Sequence, residues 1–196
     1  MLNIVLHEPE IPFNTGAIGR TCVATDTKLH LIRPYGFEIS DKYVKRAGMD
    51  YWPKLDLSEY TDYEDFLNKH QEIHFADEFF GENIPVENSE SGEGNNVWDR
   101  DTVEIPKLWF ATTKARNVYS EVQLGPNDFI MFGKESAGIP EEILVDHPKS
   151  CIRIPMWGDI RSLNLSNSAA VLLYEAYRQN GFGKLNKYGE LHRLHW

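Results

Sequence analysis

Cysteine is nearly missing from this chain: Cys22 and Cys151 are the only two among 196 residues. Two thiols build neither a disulfide framework nor a cysteine-based zinc site, and such scarcity fits a reducing compartment. Long apolar runs are missing too. No stretch approaches the ~20 apolar residues of a membrane-spanning helix, and the opening MLNIVLHEPEIP has no basic segment ahead of an apolar one. Neither a membrane span nor a signal peptide is expected, and a cytoplasmic location is. The chain also lacks a P-loop, because Asp128 and Glu135 stand where that pattern needs glycine and Ser or Thr. HQEIH at residues 70–74 is not the HExxH order, so no metal site is expected. No local Ser, His and Asp arrangement supports a hydrolase.

What is present reads as an ordinary globular chain, with 41% hydrophobic and 12% aromatic residues. Its length fits one domain, or one domain with an insertion. A net charge of -10 argues at first against a polyanionic partner. The average conceals a division, however. Residues 56–104 hold 15 acidic residues against two basic ones, Lys69 and Arg100, which leaves the remainder at about +3. A nucleic acid therefore stays open as a partner. Residues 81–104, rich in Gly, Asn, Ser and Glu, read as an inserted acidic surface loop, either a solvated insertion or an element that gates or contacts a partner.

Short apolar runs at residues 2–6 (LNIVL) and 28–32 (KLHLI) read as strands on either side of a helix at residues 14–25. Polar helices are expected at 40–47 and 63–70, further strands at 107–112, 128–133 and 151–155, and a weaker strand at 72–76. Strands alternating with helices predict an α/β domain with a mostly parallel sheet flanked by helices. The last helix, residues 165–179, is apolar nearly all round, with Leu165, Ala169, Leu172 and Ala176 on one face and Val171, Tyr174 and Tyr177 on others. Such a helix is either central to the monomer or shared between the domain and a second subunit; the second is favoured, since a small domain has few ways to cover it.

Three segments carry candidate chemistry. In NTGAIGR (residues 14–20), Asn14 is a good N-cap, and the free N–H groups of a first helical turn favour an anion. Arg20, four residues beyond side-chain-free Gly16, can reach back toward that anion or be an ordinary surface arginine. In FGKESAGIP (132–140), a strand ends in a loop that enters a helix at Pro140, the position where open α/β sheets bind ligands. Glu135 there is either a buried functional carboxylate or a solvated loop acid. In IPMWGDIRSLNLSN (154–167), Ser162, Asn164, Ser166 and Asn167 exceed what one helix cap requires, and the surplus suits a ligand or a substrate hydroxyl.

Together these segments resemble the SPOUT methyltransferases, with their deep C-terminal trefoil knot, most closely the TrmL/YibK type that methylates the ribose 2'-hydroxyl of the tRNA wobble nucleotide. MLNIVLHEPEIPFNTGAIGR, RPYGFEISDKYVKRAGMDY, FATTK, MFGKESAGIP and IRIPMWGDIRSLNLSNSAAVLLYEAYRQ are similar to successive family motifs in the family's order. The resemblance implies one domain over residues 1–180 interrupted by the acidic insertion, with a tail at 181–196. It implies a pocket for S-adenosylmethionine at Ala111, Thr112, Gly133, Ile154, Met156, Ser162 and Leu163. It implies a catalytic and RNA-facing set of Asn14, Arg20, Glu135, Ser162 and Asn164, with Glu135 and Asn164 orienting Arg20 and the substrate hydroxyl. A homodimer through the C-terminal helix, with Tyr174 at the contact, and tRNA as partner follow from the same likeness. The family casts Arg20 as base; an arginine with a pKa above ~12 is better suited to phosphate or oxyanion stabilisation. Lys42, Lys45, Arg46 and Lys54 would engage phosphates. Trp157, in place of a less bulky residue, is expected to reshape the pocket, and Lys184, Lys187 and Arg193 make the tail either an RNA contact or a disordered end. Methylation of ribosomal RNA, and a non-catalytic RNA-binding dimer of the same fold, are the alternatives.

Overall fold

The computed structural model describes residues 1–37, 51–79 and 105–194. The helix expected at 40–47, with Lys42, Lys45 and Arg46, and the acidic insertion at 81–104 lie outside the described residues.

Eight strands form one sheet: β1 (Asn3–His7), β2 (Lys28–Ile32), β3 (Leu57–Tyr60), β4 (His74–Phe75), β5 (Lys107–Ala111), β6 (Asn117–Val118), β7 (Phe129–Gly133) and β8 (Cys151–Arg153). Their order is β3-β2-β1-β7-β5-β8-β6, with β4 beside the start of β5, and every pairing described is parallel. The helices are α1 (Pro12–Thr25), α2 (Tyr63–Lys69), α3 (Ala76–Phe79), α4 (Glu141–Leu144) and α5 (Leu165–Gln179).

The central strands are continuous apolar runs because both their faces are covered. Every residue of β1 and β7 is buried. Successive side chains alternate between the faces, so Ile4, Leu6, Leu29, Leu31, Ile130 and Phe132 pack with α1 and α5. Val5, Ile32, Phe129 and Met131 pack on the other side with Phe66 of α2 and Leu144 of α4. Burial pushes the Cys22 thiol up to about 12 and the Cys151 thiol to about 11, so both stay protonated at neutral pH, and that of Cys151 donates to the His147 carbonyl at 3.3 Å.

The second face also buries polar groups in a line. His30 Nε2 lies 3.1 Å from Asn3 Oδ1, and His30 Nδ1 lies 2.7 Å from the Tyr60 hydroxyl. That hydroxyl is 2.8 Å from His70 Nε2, and His70 Nδ1 is 2.8 Å from Glu72 Oε1. Asn3 spends its amide hydrogens on the Met1 and Asn127 carbonyls, so its Oδ1 accepts from His30 Nε2–H. It follows that Tyr60 donates to the bare Nδ1 of His30 and accepts from His70. HQEIH is thus part of a structural relay, with His74 bonded separately to Glu78.

Several expected boundaries shift. α1 starts at Pro12, not Asn14, because proline fits the first helical position. Pro140 is the N-cap of α4 and not its first residue. β3 and β6, short and half-polar at the sheet's two edges, were not anticipated. α5 matches its expected span, but it is not apolar all round in use: Ala169, Leu172, Leu173 and Ala176 are buried, whereas Val171 and Tyr174 are exposed. Residues 181–194 contain no helix or strand.

Candidate functional site

The strand order decides where a ligand can sit. β2 and β7 flank β1 on opposite sides, and loops leaving the carboxyl ends of neighbouring parallel strands diverge at such a point and leave a crevice. There the loops after β5, β7 and β8 and the first turn of α1 enclose a cavity of about 430 Å³, large enough for a nucleoside-sized ligand.

Ten of the eleven sequence-derived site residues line it: Asn14, Ala111, Thr112, Gly133, Glu135, Ile154, Met156, Ser162, Leu163 and Asn164. Gly133 is required by close approach. Its φ is +105°, and a Cβ there would stand 2.3 Å from the His7 carbonyl oxygen.

A polar chain runs along one wall. Glu135 Oε2 accepts from the Glu10 N–H at 2.9 Å, and Oε1 accepts from the Ile11 N–H at 3.2 Å and from Asn14 Nδ2 at 3.1 Å. Asn14 Oδ1 in turn accepts from Asn164 Nδ2 at 2.9 Å. Asn164 Oδ1 caps α5, accepting from the Ser166 N–H at 2.9 Å and the Asn167 N–H at 3.4 Å. Each amide therefore has a fixed orientation, and three loops distant in sequence are locked together.

This arrangement corrects two expectations. Asn14 is not the N-cap of α1; Ile11 is, and it provides no side-chain cap. The anion at the start of α1 is the protein's own Glu135, which therefore is not a solvated loop acid. Nor do Glu135 and Asn164 orient Arg20: they meet through Asn14. Arg20 does not line the cavity, and its guanidinium carbon sits 4.8 Å from the Tyr51 ring centre. Tyr51 is anchored there by its hydroxyl, which donates to the carbonyl of Gly16.

Two carboxylates flank the wall. Glu10 accepts from the Ser136 N–H at 2.8 Å and hydroxyl at 2.9 Å, bonds that hold its carboxyl below the usual range. Glu8 pairs with Lys134 at 2.7 Å, which raises the lysine above its ordinary value. Sequence reasoning missed the cavity residues Lys114, Lys134, Arg161 and Ser168. Arg161 and Lys134 immediately adjoin chosen residues, so chain adjacency was the available signal. Among the described residues no group of three or more His, Cys, Asp or Glu is placed to hold a metal ion, and no helix is long and apolar enough to cross a membrane.

The family profile described as the SpoU rRNA Methylase family matches residues 1–79 and 99–174. A Yersinia pestis protein named tRNA (cytidine(34)-2'-O)-methyltransferase is 40% identical over 183 residues, covering 93% of this chain and 96% of that protein. A Photorhabdus asymbiotica protein of the same name is 42% identical over 183 residues, with the same two shares. A solved structure described as giving insights into the 2-OH methylation of C/U34 on tRNA superposes with a TM-score of 0.70 at 35% identity, covering 92% of this chain and 97% of that one.

Proposed function

The chain belongs to the SpoU rRNA Methylase family, and from that premise we propose that it transfers a methyl group from S-adenosylmethionine to the ribose 2'-hydroxyl of the wobble nucleotide, cytidine or uridine, in a tRNA anticodon loop. The observation that carries this reading is the cavity wall of Glu135, Asn14 and Asn164 in a chain similar over its length to relatives named for that reaction.

The cavity suits the cofactor chemically. Ile152, Ile154, Met156, Leu163 and Leu172 provide apolar walls for a purine, while the loop backbones at Ala111, Thr112 and Gly133 offer N–H and C=O groups to its edges. When bound, S-adenosylmethionine supplies an electrophilic methyl group on a sulfonium. The protein's part is then alignment and proton management. Asn14 and Asn164, held rigid by Glu135 and by the α5 cap, present fixed polar edges that orient the ribose hydroxyl, and holding reactants in line accounts for a large share of catalysis. Ser162, exposed on the same wall, is the further hydroxyl in reach of substrate. Arg20 serves as a phosphate contact on the outer surface of α1, consistent with its permanent charge.

The wider assignments belong to the same proposal. Residues 1–180 form the methyltransferase domain with its knot, and the gap in the family match at 80–98 supports the acidic segment as an insertion. Two copies associate through α5, whose exposed Val171 and Tyr174 leave an apolar strip to cover. The enzyme works in the cytoplasm. The test is incubation with methyl-labelled S-adenosylmethionine and separated tRNA and ribosomal RNA, followed by digestion to nucleosides. Label in 2'-O-methylcytidine or 2'-O-methyluridine from tRNA is expected. Label in ribosomal RNA alone overturns the substrate, and cofactor binding without transfer to either RNA points to a non-catalytic RNA-binding dimer.

A further inference from the structure

The loop between β8 and α5 departs from the chemistry of the rest of the cavity. Its two ends belong to the wall, through Met156 on one side and Arg161, Ser162 and Leu163 on the other. The residues between them project from the rim. Trp157 is 91% exposed and Ile160 61% exposed, while Gly158, at φ +61°, has nothing within 4 Å of where a Cβ would stand. Leaving an indole in water sacrifices the apolar contact that normally retains a tryptophan.

Charge sharpens the point. Three cations line the cavity. Lys114 is bonded to Glu141 at 2.6 Å and Lys134 to Glu8 at 2.7 Å. Arg161 has no ion-pair or hydrogen-bond partner among the described residues, and nearby Asp159 does not pair with it. The rim therefore offers an uncommitted guanidinium and, four residues away in the same loop, an uncovered aromatic face. Together these serve the two recurring needs of an unpaired nucleic acid strand, a phosphate contact and a surface on which a base stacks.

We propose that residues 156–163 form the RNA-reading edge of this site, in which Arg161 holds a phosphate of the substrate strand and Trp157 stacks on a base next to the target nucleotide. This rests on the methyltransferase reading and adds its substrate-positioning element. RNA is favoured over a second copy of the chain as the occupant because the loop is continuous with the cavity wall and pairs its aromatic group with a free cation. It also requires the substrate to be single-stranded there, since a base within a duplex has no free face.

The experiment uses the full chain and an anticodon stem-loop RNA. Methyl transfer is measured with RNA varied at saturating cofactor, alongside cofactor affinity by calorimetry and mass by sedimentation. Trp157→Ala should raise the RNA KM roughly 5- to 150-fold, the range for removing one stacked base, with cofactor affinity and mass unchanged. Trp157→Phe should recover most of the loss. Arg161→Ala should weaken RNA binding and flatten its salt dependence by about one phosphate contact. An unchanged RNA KM in Trp157→Ala overturns the proposal, as does loss of cofactor affinity, which would put the indole in the cofactor pocket. A drop in mass would make it a subunit contact and overturn it equally. If the unaltered protein methylates no RNA, the parent reading fails. Direct binding then judges the loop by itself: tryptophan fluorescence of the unaltered protein minus that of Trp157→Phe should quench on adding RNA.

Discussion

Two polar chains cross this protein, and they are made of similar parts. One runs Asn3, His30, Tyr60, His70 and Glu72 on the second face of the sheet; the other runs Glu135, Asn14 and Asn164 at the carboxyl ends of the strands. The first is packed among Phe66 and Phe129, with His30 fully buried. The second lines an open cavity of about 430 Å³. A buried polar group stripped of its partner loses free energy that water cannot restore, so the first chain bears on stability. The second is rigid in the same way, yet it faces a space that a substrate can enter, and its rigidity is available for alignment. Similar residue types thus acquire different work from where the sheet puts them.

The largest test of this contrast is acidification. Burial, and secondarily His70 nearby, pushes His30 down to about 3, whereas an unfolded histidine titrates near its ordinary value of 6.5. Between those values the unfolded chain binds the proton and the folded chain does not, so stability falls as pH falls. The slope approaches 1.4 kcal/mol per pH unit once the unfolded histidine is fully protonated, which integrates to about 3 kcal/mol between pH 6.5 and 4.0. Burial lowers His7 as well, which adds in the same direction. Urea midpoints over that range should drop steadily, and a flat profile would deny His30 its buried, neutral state.

Next comes Glu135→Gln, which turns one of the accepting oxygens toward Glu10 and Ile11 into a donor and frees Asn14 to rotate. Methyl transfer should fall about 100-fold with a modest change in cofactor affinity, as expected when reactants are misaligned. Steady-state kinetics beside cofactor calorimetry separates the two effects, and equal losses in both would show the wall to be a cofactor contact. Tyr60→Phe should do the converse. It leaves His30 Nδ1 and His70 Nε2 without their shared hydroxyl and should cost about 1–3 kcal/mol in urea denaturation, with kcat/KM kept. Impaired catalysis at full stability in that variant would break the contrast between the chains. The smallest effect belongs to Asn164→Asp, which keeps the capping oxygen but replaces the N–H toward Asn14 by an acceptor. A loss of about tenfold in kcat with an unshifted thermal midpoint is expected, corresponding to one hydrogen bond.

Local sequence was a good guide wherever a segment answers to its own neighbours. β2 and α5 match their expected limits because an apolar run and a helical period are local patterns. β1, β5, β7 and β8 sit within a residue or two of expectation for the same reason. β3 and β6 were invisible because edge strands of four and two residues bury too little to imprint a pattern. Asn14 and Glu135 were picked out as site residues, yet not the bond between them, which spans 121 positions and has no local signature.

What the sequence by itself determined is the alternation of buried strands and helices, the residues able to contribute to a site, and the separation of acidic segment from mildly basic remainder. These follow from side-chain chemistry read over a few residues at a time. Only the tertiary structure decided that Glu135 binds the backbone just ahead of α1, that Asn14 joins it to Asn164, that Arg20 lies against Tyr51 outside the cavity, and that HQEIH belongs to a relay. Each depends on which loops the parallel sheet brings to one end, and a directional hydrogen bond forms only once those loops are within about 3 Å of each other.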